Sequence, residues 1–169
     1  MSSAIKANRG FNLLELMVGI TVLGVLLGIG VPSFTQMIRN NRIASQANDV
    51  VSALNFARSE ALKRSIPVSV CPASGNACAG TDWNTGILVF TDDQGSVGTP
   101  DGSDEILQRW SAYENNLVAS GPTAVRFTRS GVDAAGTIDV YYSGCDGQNK
   151  RRISIMATGR IDLTKANCS

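Results

Sequence analysis

The pattern of hydrophobic and polar positions opens with one long apolar stretch. Residues 11–31 carry a single formal charge, Glu15. At about 1.5 Å per residue a helix of this length is roughly 30 Å long, which matches the hydrocarbon core of a bilayer. The stretch therefore predicts a transmembrane helix over 11–31. Because a carboxylate inside such a helix is costly unless it is paired or neutralised, Glu15 is a candidate functional residue.

A second helical pattern follows the apolar stretch. The helix is expected to continue past Pro32, either kinked or locally unwound there. Apolar residues then recur at steps of four and three, on one helical face: Ile43, Ala47, Val50, Leu54, Ala57 and Ala61. The sequence predicts an amphipathic helix over 32–65, ended by Pro67, whose apolar face needs a cover.

After Pro67 the apolar period changes from 3.6 residues to two. Short alternating or apolar segments, separated by clusters of Gly, Asn, Asp and Pro, cover 66–70, 87–90, 106–110, 125–128, 138–141, 153–156 and 161–163. Such segments are typical of antiparallel strands. Residues 66–169 are therefore predicted to form a β-rich domain with one sheet of about five to seven strands. The fold class is α+β, with the long helix packed on an antiparallel β-sheet.

The residues before the apolar stretch predict its orientation. Residues 1–10 are short and polar, contain Lys6 and Arg9, and have no apolar region of their own, unlike an ordinary secretory signal. Basic residues on this side predict that the N-terminal end lies in the cytoplasm and the remainder outside.

Four cysteines lie in the part predicted to be outside, where disulfides persist: Cys71, Cys78, Cys145 and Cys168. Four cysteines allow three pairings. We favour Cys71–Cys78, which closes a small loop, and Cys145–Cys168, which holds the C-terminal end. A zinc site is disfavoured because the chain has no histidine and no paired C-x-x-C spacing.

The residues around the start of the apolar stretch resemble a known signal. A basic leader ends at Gly10, Phe11 follows, and Glu15 is the fifth residue after the glycine. This arrangement is similar to the class III signal of type IV pilins and type II secretion pseudopilins. The resemblance implies a pilin fold, removal of residues 1–10 by a prepilin peptidase and N-methylation of Phe11. It also implies that Glu15 pairs with a Phe11 amine in the assembling filament.

The outer part carries a second, narrower resemblance, to the GspH/FimT group. It rests on four segments: Ala57–Ala61, Asp82–Asp92, Phe127–Gly131 and Thr158–Arg160. The group implies a minor type IV pilin that primes or caps pilus assembly, with other minor pilins and the major pilin as partners. It also implies a single-pass protein of the bacterial inner membrane with a periplasmic C-terminal domain. The alternative is the minor pseudopilin of type II secretion.

Three residues within these segments have structural rather than chemical interpretations. We expect Trp83 to be an anchor in the core or at a strand edge. Gly86 and Gly131 are expected at turns or tight backbone contacts.

Catalytic chemistry finds little support in the sequence. Without histidine there is no histidine base or metal ligand, and no nucleophile elbow, phosphate loop or dinucleotide fingerprint occurs. We therefore expect a non-enzymatic subunit without a cofactor or metal. The acidic loop with Asp92, Asp93, Asp101 and Asp104 offers oxygen ligands for Ca²⁺, but it lacks EF-hand spacing. A solvated polar loop is the preferred interpretation.

The C-terminal third raises DNA binding as a further alternative. Some FimT-like minor pilins bind DNA through a basic tail with a Gly-Arg-x-Arg pattern, whereas here Asp162 takes the place of the second arginine. The candidate contacts are Lys150, Arg151, Arg152, Arg160 and Lys165. They give this end a local positive excess, but an aspartate would repel phosphate. DNA binding is therefore not favoured.

Overall fold

A computed structural model of the chain describes residues 12–93, 97–113, 116–133 and 135–168. These residues form two compact units, divided between Ile38 and Arg39. The predicted leader and the Gly10–Phe11 junction lie outside the described residues.

One α-helix, α1, spans Leu13–Arg64. Its start is capped by Asn12, whose side-chain oxygen accepts a hydrogen bond from the Leu14 amide at 3.4 Å. It is not interrupted at position 32, so the local unwinding considered for that position does not occur. The helix ends where Ser65 adopts a left-handed conformation, with φ of 58°, just before Pro67.

The part of α1 in the first unit is apolar on every side. Its large hydrophobic side chains from Leu13 to Met37 are all more than half exposed. An 18-residue window of the helix reaches a mean hydropathy of 2.3. By length and composition, α1 is therefore able to cross a membrane.

The first sheet of the second unit is built around a central buried strand. Its order is β4-β3-β1-β6-β7, with β2 paired to β1 outside this path, and all these pairings are antiparallel. The strands are β1 (Val68–Ser74), β2 (Ala77–Cys78), β3 (Ile87–Thr91), β4 (Ile106–Trp110), β6 (Val125–Thr128) and β7 (Gly131–Val132). Because β1 has β3 on one side and β6 on the other, six of its seven residues are buried.

The second sheet has four strands in the order β10-β9-β8-β5, again antiparallel. They are β5 (Leu117–Ser120), β8 (Gly136–Tyr142), β9 (Lys150–Ile155) and β10 (Ile161–Ala166). Ile153 and Ile155 of β9 are buried on one face, whereas Lys150, Arg152 and Ser154 lie on the opposite face. We call that opposite face, which includes Lys150 and Arg152, the outer face of the second sheet.

The core forms where α1 meets both sheets. The apolar stripe predicted from the 3.6-residue period is buried along its whole length, from Ile43 to Ala61. It packs in one cluster with residues such as Phe127 of the first sheet and Ile153 of the second. The predicted α+β class, with a long helix packed on antiparallel sheet, is confirmed.

The expectation of a single sheet was wrong, since the strands divide into two sheets. The sequence pattern also did not indicate β2, β5 and β7. Two of these have only two residues, too few to show any periodicity. β5 has two buried residues in four, and its sequence reads Leu-Val-Ala-Ser without a clear alternation.

Candidate functional site

Glu15, the one predicted assembly residue within the described range, lies in the first turn of α1. Around it Leu14, Leu16 and Met17 are 57–69% exposed. A carboxylate near the N-terminal end of a helix interacts favourably with the helix dipole. The carboxylate is thus exposed on an apolar helix surface, where a neighbouring molecule can reach it.

The structure pairs the cysteines as Cys71–Cys78 and Cys145–Cys168. The first bond joins β1 to β2, and Cys71 belongs to a small buried cluster with Leu88 and Phe90. The second joins the loop after β8 to the segment after β10, where the Cys168 amide also donates to the Gly147 carbonyl at 2.9 Å. The first bond therefore strengthens the pairing of the short strand β2 with β1, whereas the second joins two segments that lie outside the strands of the second sheet.

The five basic residues considered for DNA contact do not form one surface. Arg151 and Lys165 are direct cross-strand partners, and they share the face of the second sheet that carries Ile153 and Ile155. Lys150 and Arg152 lie on the outer face. Arg160 is in the turn before β10 and donates two hydrogen bonds to Asp162, at 3.1 and 3.2 Å.

Asp139 on β8 forms ion pairs with two of these cations, Lys150 and Arg152. Arg152 donates to its two carboxylate oxygens at 2.8 Å each, and the ammonium of Lys150 lies 3.2 Å from Oδ2. The hydrogen bonds from Arg152, followed by that from Lys150, hold the pKa of Asp139 below its ordinary value. This ion cluster on the outer face was not anticipated, because only the β8–β9 register brings Asp139 opposite Arg152.

Residues in the segments that resemble the GspH/FimT group make packing and hydrogen-bond contacts within the fold. Trp83 is fully buried, and its indole N–H donates to the Pro122 carbonyl at 3.0 Å. Gly86 has a φ of 113°, and a Cβ there would lie 2.7 Å from the Trp110 carbonyl oxygen. A Cβ at Gly159 would lie 3.3 Å from Nε of Arg58, so two of the resembling segments meet. The expected roles of Trp83 and Gly86 are confirmed.

The sequence favoured a solvated polar loop for these aspartates. The structure shows instead that one of them, Asp92, is buried. Asp92 is 1% exposed and accepts hydrogen bonds from the Ser69 hydroxyl at 2.5 Å and the Gly98 amide at 2.8 Å. Nε of Arg126 lies 3.3 Å from the same carboxylate. Asp92 is buried because it joins β1, β6 and its own loop, a role that its sequence context does not reveal.

The other aspartates of this loop behave differently. Asp93 and Asp101 are exposed, whereas burial raises the pKa of Asp104. Asp104 accepts a hydrogen bond from the Asp101 amide at 2.9 Å. Across the described ranges of the chain, no three acidic, cysteine or histidine side chains are grouped to hold a metal ion.

We expect Asp92→Asn to lower the free energy of unfolding by about 2–3 kcal/mol, because the buried hydrogen bonds from Ser69 and Gly98 lose their charged acceptor and Arg126 keeps only Asp133 as a charged partner. Chemical denaturation of the oxidised full-length protein in detergent measures the loss. Asp93→Asn is the matched control, since the neighbouring carboxylate is exposed, and its unfolding midpoint should equal that of the wild type. Equal midpoints for all three proteins would contradict the assigned role of Asp92.

Comparison with known proteins finds a match to one family model and a similar fold in two crystal structures. The family model described as "Type II transport protein GspH" matches residues 46–159, more than half of the chain. No curated protein sequence matches the chain significantly. Two crystal structures of the Pseudomonas aeruginosa type IV minor pilin FimU are similar in fold.

The two FimU structures match this chain to a similar extent. One has a TM-score of 0.55 and 21% identity, and the match covers 72% of this chain and 91% of that chain. The other has a TM-score of 0.58 and 22% identity, and covers 78% of this chain and 92% of that chain. Both comparisons agree with the long helix and antiparallel sheets described above.

Proposed function

The chain belongs to the family of type II transport protein GspH, and from this premise we propose that it is a minor type IV pilin that primes or caps pilus assembly. The family match supports a pilin-like filament subunit, the part that the pilus and secretion candidates share. The likeness to FimU supports it at the level of fold. The protein then acts as a structural subunit whose partners are other minor pilins and the major pilin.

The exposed apolar part of α1 suits two successive environments. Before assembly, residues 11–31 hold the protein in the bacterial inner membrane, with residues 66–169 in the periplasm. After assembly, the same apolar surface packs against the corresponding helices of neighbouring subunits. Exposure of Leu13 to Met37 in the isolated chain is what such a transfer requires.

Processing is the first prediction of this proposal. We expect a prepilin peptidase to cut between Gly10 and Phe11, with N-methylation of the new Phe11 amine. Mass spectrometry of protein purified from the native host measures both changes at the N-terminus. Replacing Gly10 should leave residues 1–10 attached, because the peptidase recognises the glycine before the cut.

An uncut N-terminus, or a cut at another bond, would contradict the processing prediction. The matched control is replacement of Ala7 in the same leader, which should leave cleavage unchanged.

Deletion of the gene tests the role of the protein. We expect loss of surface pili and of twitching, with secretion of exoproteins unchanged. Re-expression of the wild-type protein should restore both properties. Normal piliation and twitching in the deletion strain would contradict the proposed role.

A second candidate is a minor pseudopilin of type II secretion, which is the system that the family name, type II transport protein, refers to. A pseudopilin uses the same type of helix in a short periplasmic filament. The deletion experiment separates the two, because loss of exoprotein secretion with normal piliation would assign the protein to the secretion system.

DNA capture is a weaker candidate. Lys150 and Arg152 are paired with Asp139, and Arg160 with Asp162. Arg151 and Lys165 lie on the other face of the second sheet. A duplex in contact with one face therefore meets few unneutralised cations, which limits binding at physiological salt.

A further inference from the structure

The outer face of the second sheet carries a cavity of about 340 Å³. Ser120, Asp139, Tyr141 and Lys150 from three strands line it, together with the Cys145–Cys168 disulfide. The opposite face of this sheet packs on the core, so the outer face is the one that a neighbouring molecule can approach.

Lys150 is the unusual group in this cavity. Its side chain is 8% exposed, and among the described residues its polar partner is Asp139 Oδ2, at 3.2 Å. An ammonium group has three donors. The remaining donors of Lys150 face the cavity, where an acceptor of opposite charge can take the place of water.

The local charges are also unbalanced. Among the described residues that line the cavity, Asp139 is the one acidic residue, and both of its carboxylate oxygens already accept hydrogen bonds from Arg152. Two cations thus share one carboxylate. An incoming anion would balance the second cation and give Lys150 a second charged acceptor.

We propose that this cavity receives the carboxylate of an acidic side chain from a neighbouring filament subunit. The inference rests on the proposed function, which places other subunits beside this one. A protein side chain fits better than nucleic acid, because Lys150 is recessed and a phosphate backbone lying on the sheet would not reach it. A single carboxylate on a flexible side chain can enter the cavity.

The direct test is a titration of the oxidised full-length protein in detergent micelles, followed by the amide NMR signals of Tyr141, Gly144 and Lys150. The probes are glutamate and glutamine, each blocked as the N-acetyl methylamide so that the glutamate carboxylate is the only charge. We expect saturable shifts with the glutamate probe and binding about tenfold weaker with the glutamine probe. Equal binding of both probes would overturn the anion site.

Two variants locate the site. Lys150→Met should abolish the difference between the probes, whereas Lys165→Met, on the opposite face, should retain it. If Lys150→Met does not fold, the comparison of the two probes on the wild-type protein decides the question alone. Inorganic phosphate and a short DNA duplex are the other arms, and tighter binding of either at these signals would overturn a protein side chain as the occupant.

A photo-crosslinker at Tyr141 in the native host tests the partner. We expect a cross-link to an acidic segment of another pilin-like subunit. Filaments that contain the protein without such a cross-link would overturn the neighbouring subunit as the occupant. Absence of the protein from every filament would overturn the proposed function. Because that result does not affect the titration, it is distinguishable from failure of the anion site.

Discussion

Glu15→Ala is expected to leave the protein in the membrane but to lower its incorporation into filaments about tenfold or more. In the proposed filament, Glu15 and a Phe11 amine are two opposite charges in an apolar helix bundle. Removing one member of such a pair leaves the other charge buried alone, a loss of roughly 3–5 kcal/mol. Quantitative immunoblots of sheared filaments and of membrane fractions measure the two pools separately.

Two further substitutions make the test of Glu15 specific for charge. Glu15→Gln keeps the shape without the charge and should behave like Glu15→Ala. Glu15→Asp keeps the carboxylate and should retain part of the incorporation. All three should insert normally, because removing or shortening an acidic side chain does not oppose insertion of an apolar helix. Incorporation of Glu15→Ala at the wild-type level would show that the carboxylate has no pairing role.

The helical part of the fold was accessible from sequence because its signal is local. Steps of three and four place Ile43, Val50 and Leu54 on one face, and all three are buried. The signal for the end of the helix was also local, because a proline at position 67 cannot continue a helix. The unbroken course at position 32 was not predictable, because a proline inside a helix is accommodated according to its surroundings.

The division into two sheets depends on pairings between distant residues. β1 pairs with β3 and β6, whereas β5 pairs with β8, and no local pattern states which strands are neighbours. Alternation shows which residues of a strand are buried but not which sheet buries them. Apart from β2, β5 and β7, the strand segments were therefore predictable, and the topology was not.

The polar contacts show the same limit at the level of single residues. Asp92 and Asp93 are adjacent and identical in type, yet one is buried and the other exposed. The difference arises from Ser69 and Arg126, which reach Asp92 from other strands. In the same way, the sequence showed a basic C-terminal third, but only the register revealed that Asp139 neutralises part of it.

The second large effect is expected at Gly131, where β7 approaches the turn between β9 and β10. Its φ is 148°, and a Cβ there would lie 2.2 Å from the Ala157 carbonyl oxygen. That carbonyl accepts a hydrogen bond from the Val132 amide at 3.0 Å, a contact between the two sheets. A methyl group at Gly131 therefore forces apart backbone segments that hold the sheets together.

We expect Gly131→Ala to lower the free energy of unfolding by about 3 kcal/mol or more, which combines backbone strain with a steric overlap against backbone. Two controls separate these causes in denaturation of the full-length oxidised protein. Gly80→Ala meets open space at a φ of 60°, so it should lose only the roughly 1–2 kcal/mol of a left-handed conformation. Gly102→Ala has neither a positive φ nor a near neighbour and should not change the midpoint. If Gly131→Ala is no more destabilising than Gly80→Ala, the two sheets do not approach each other at Gly131 as described.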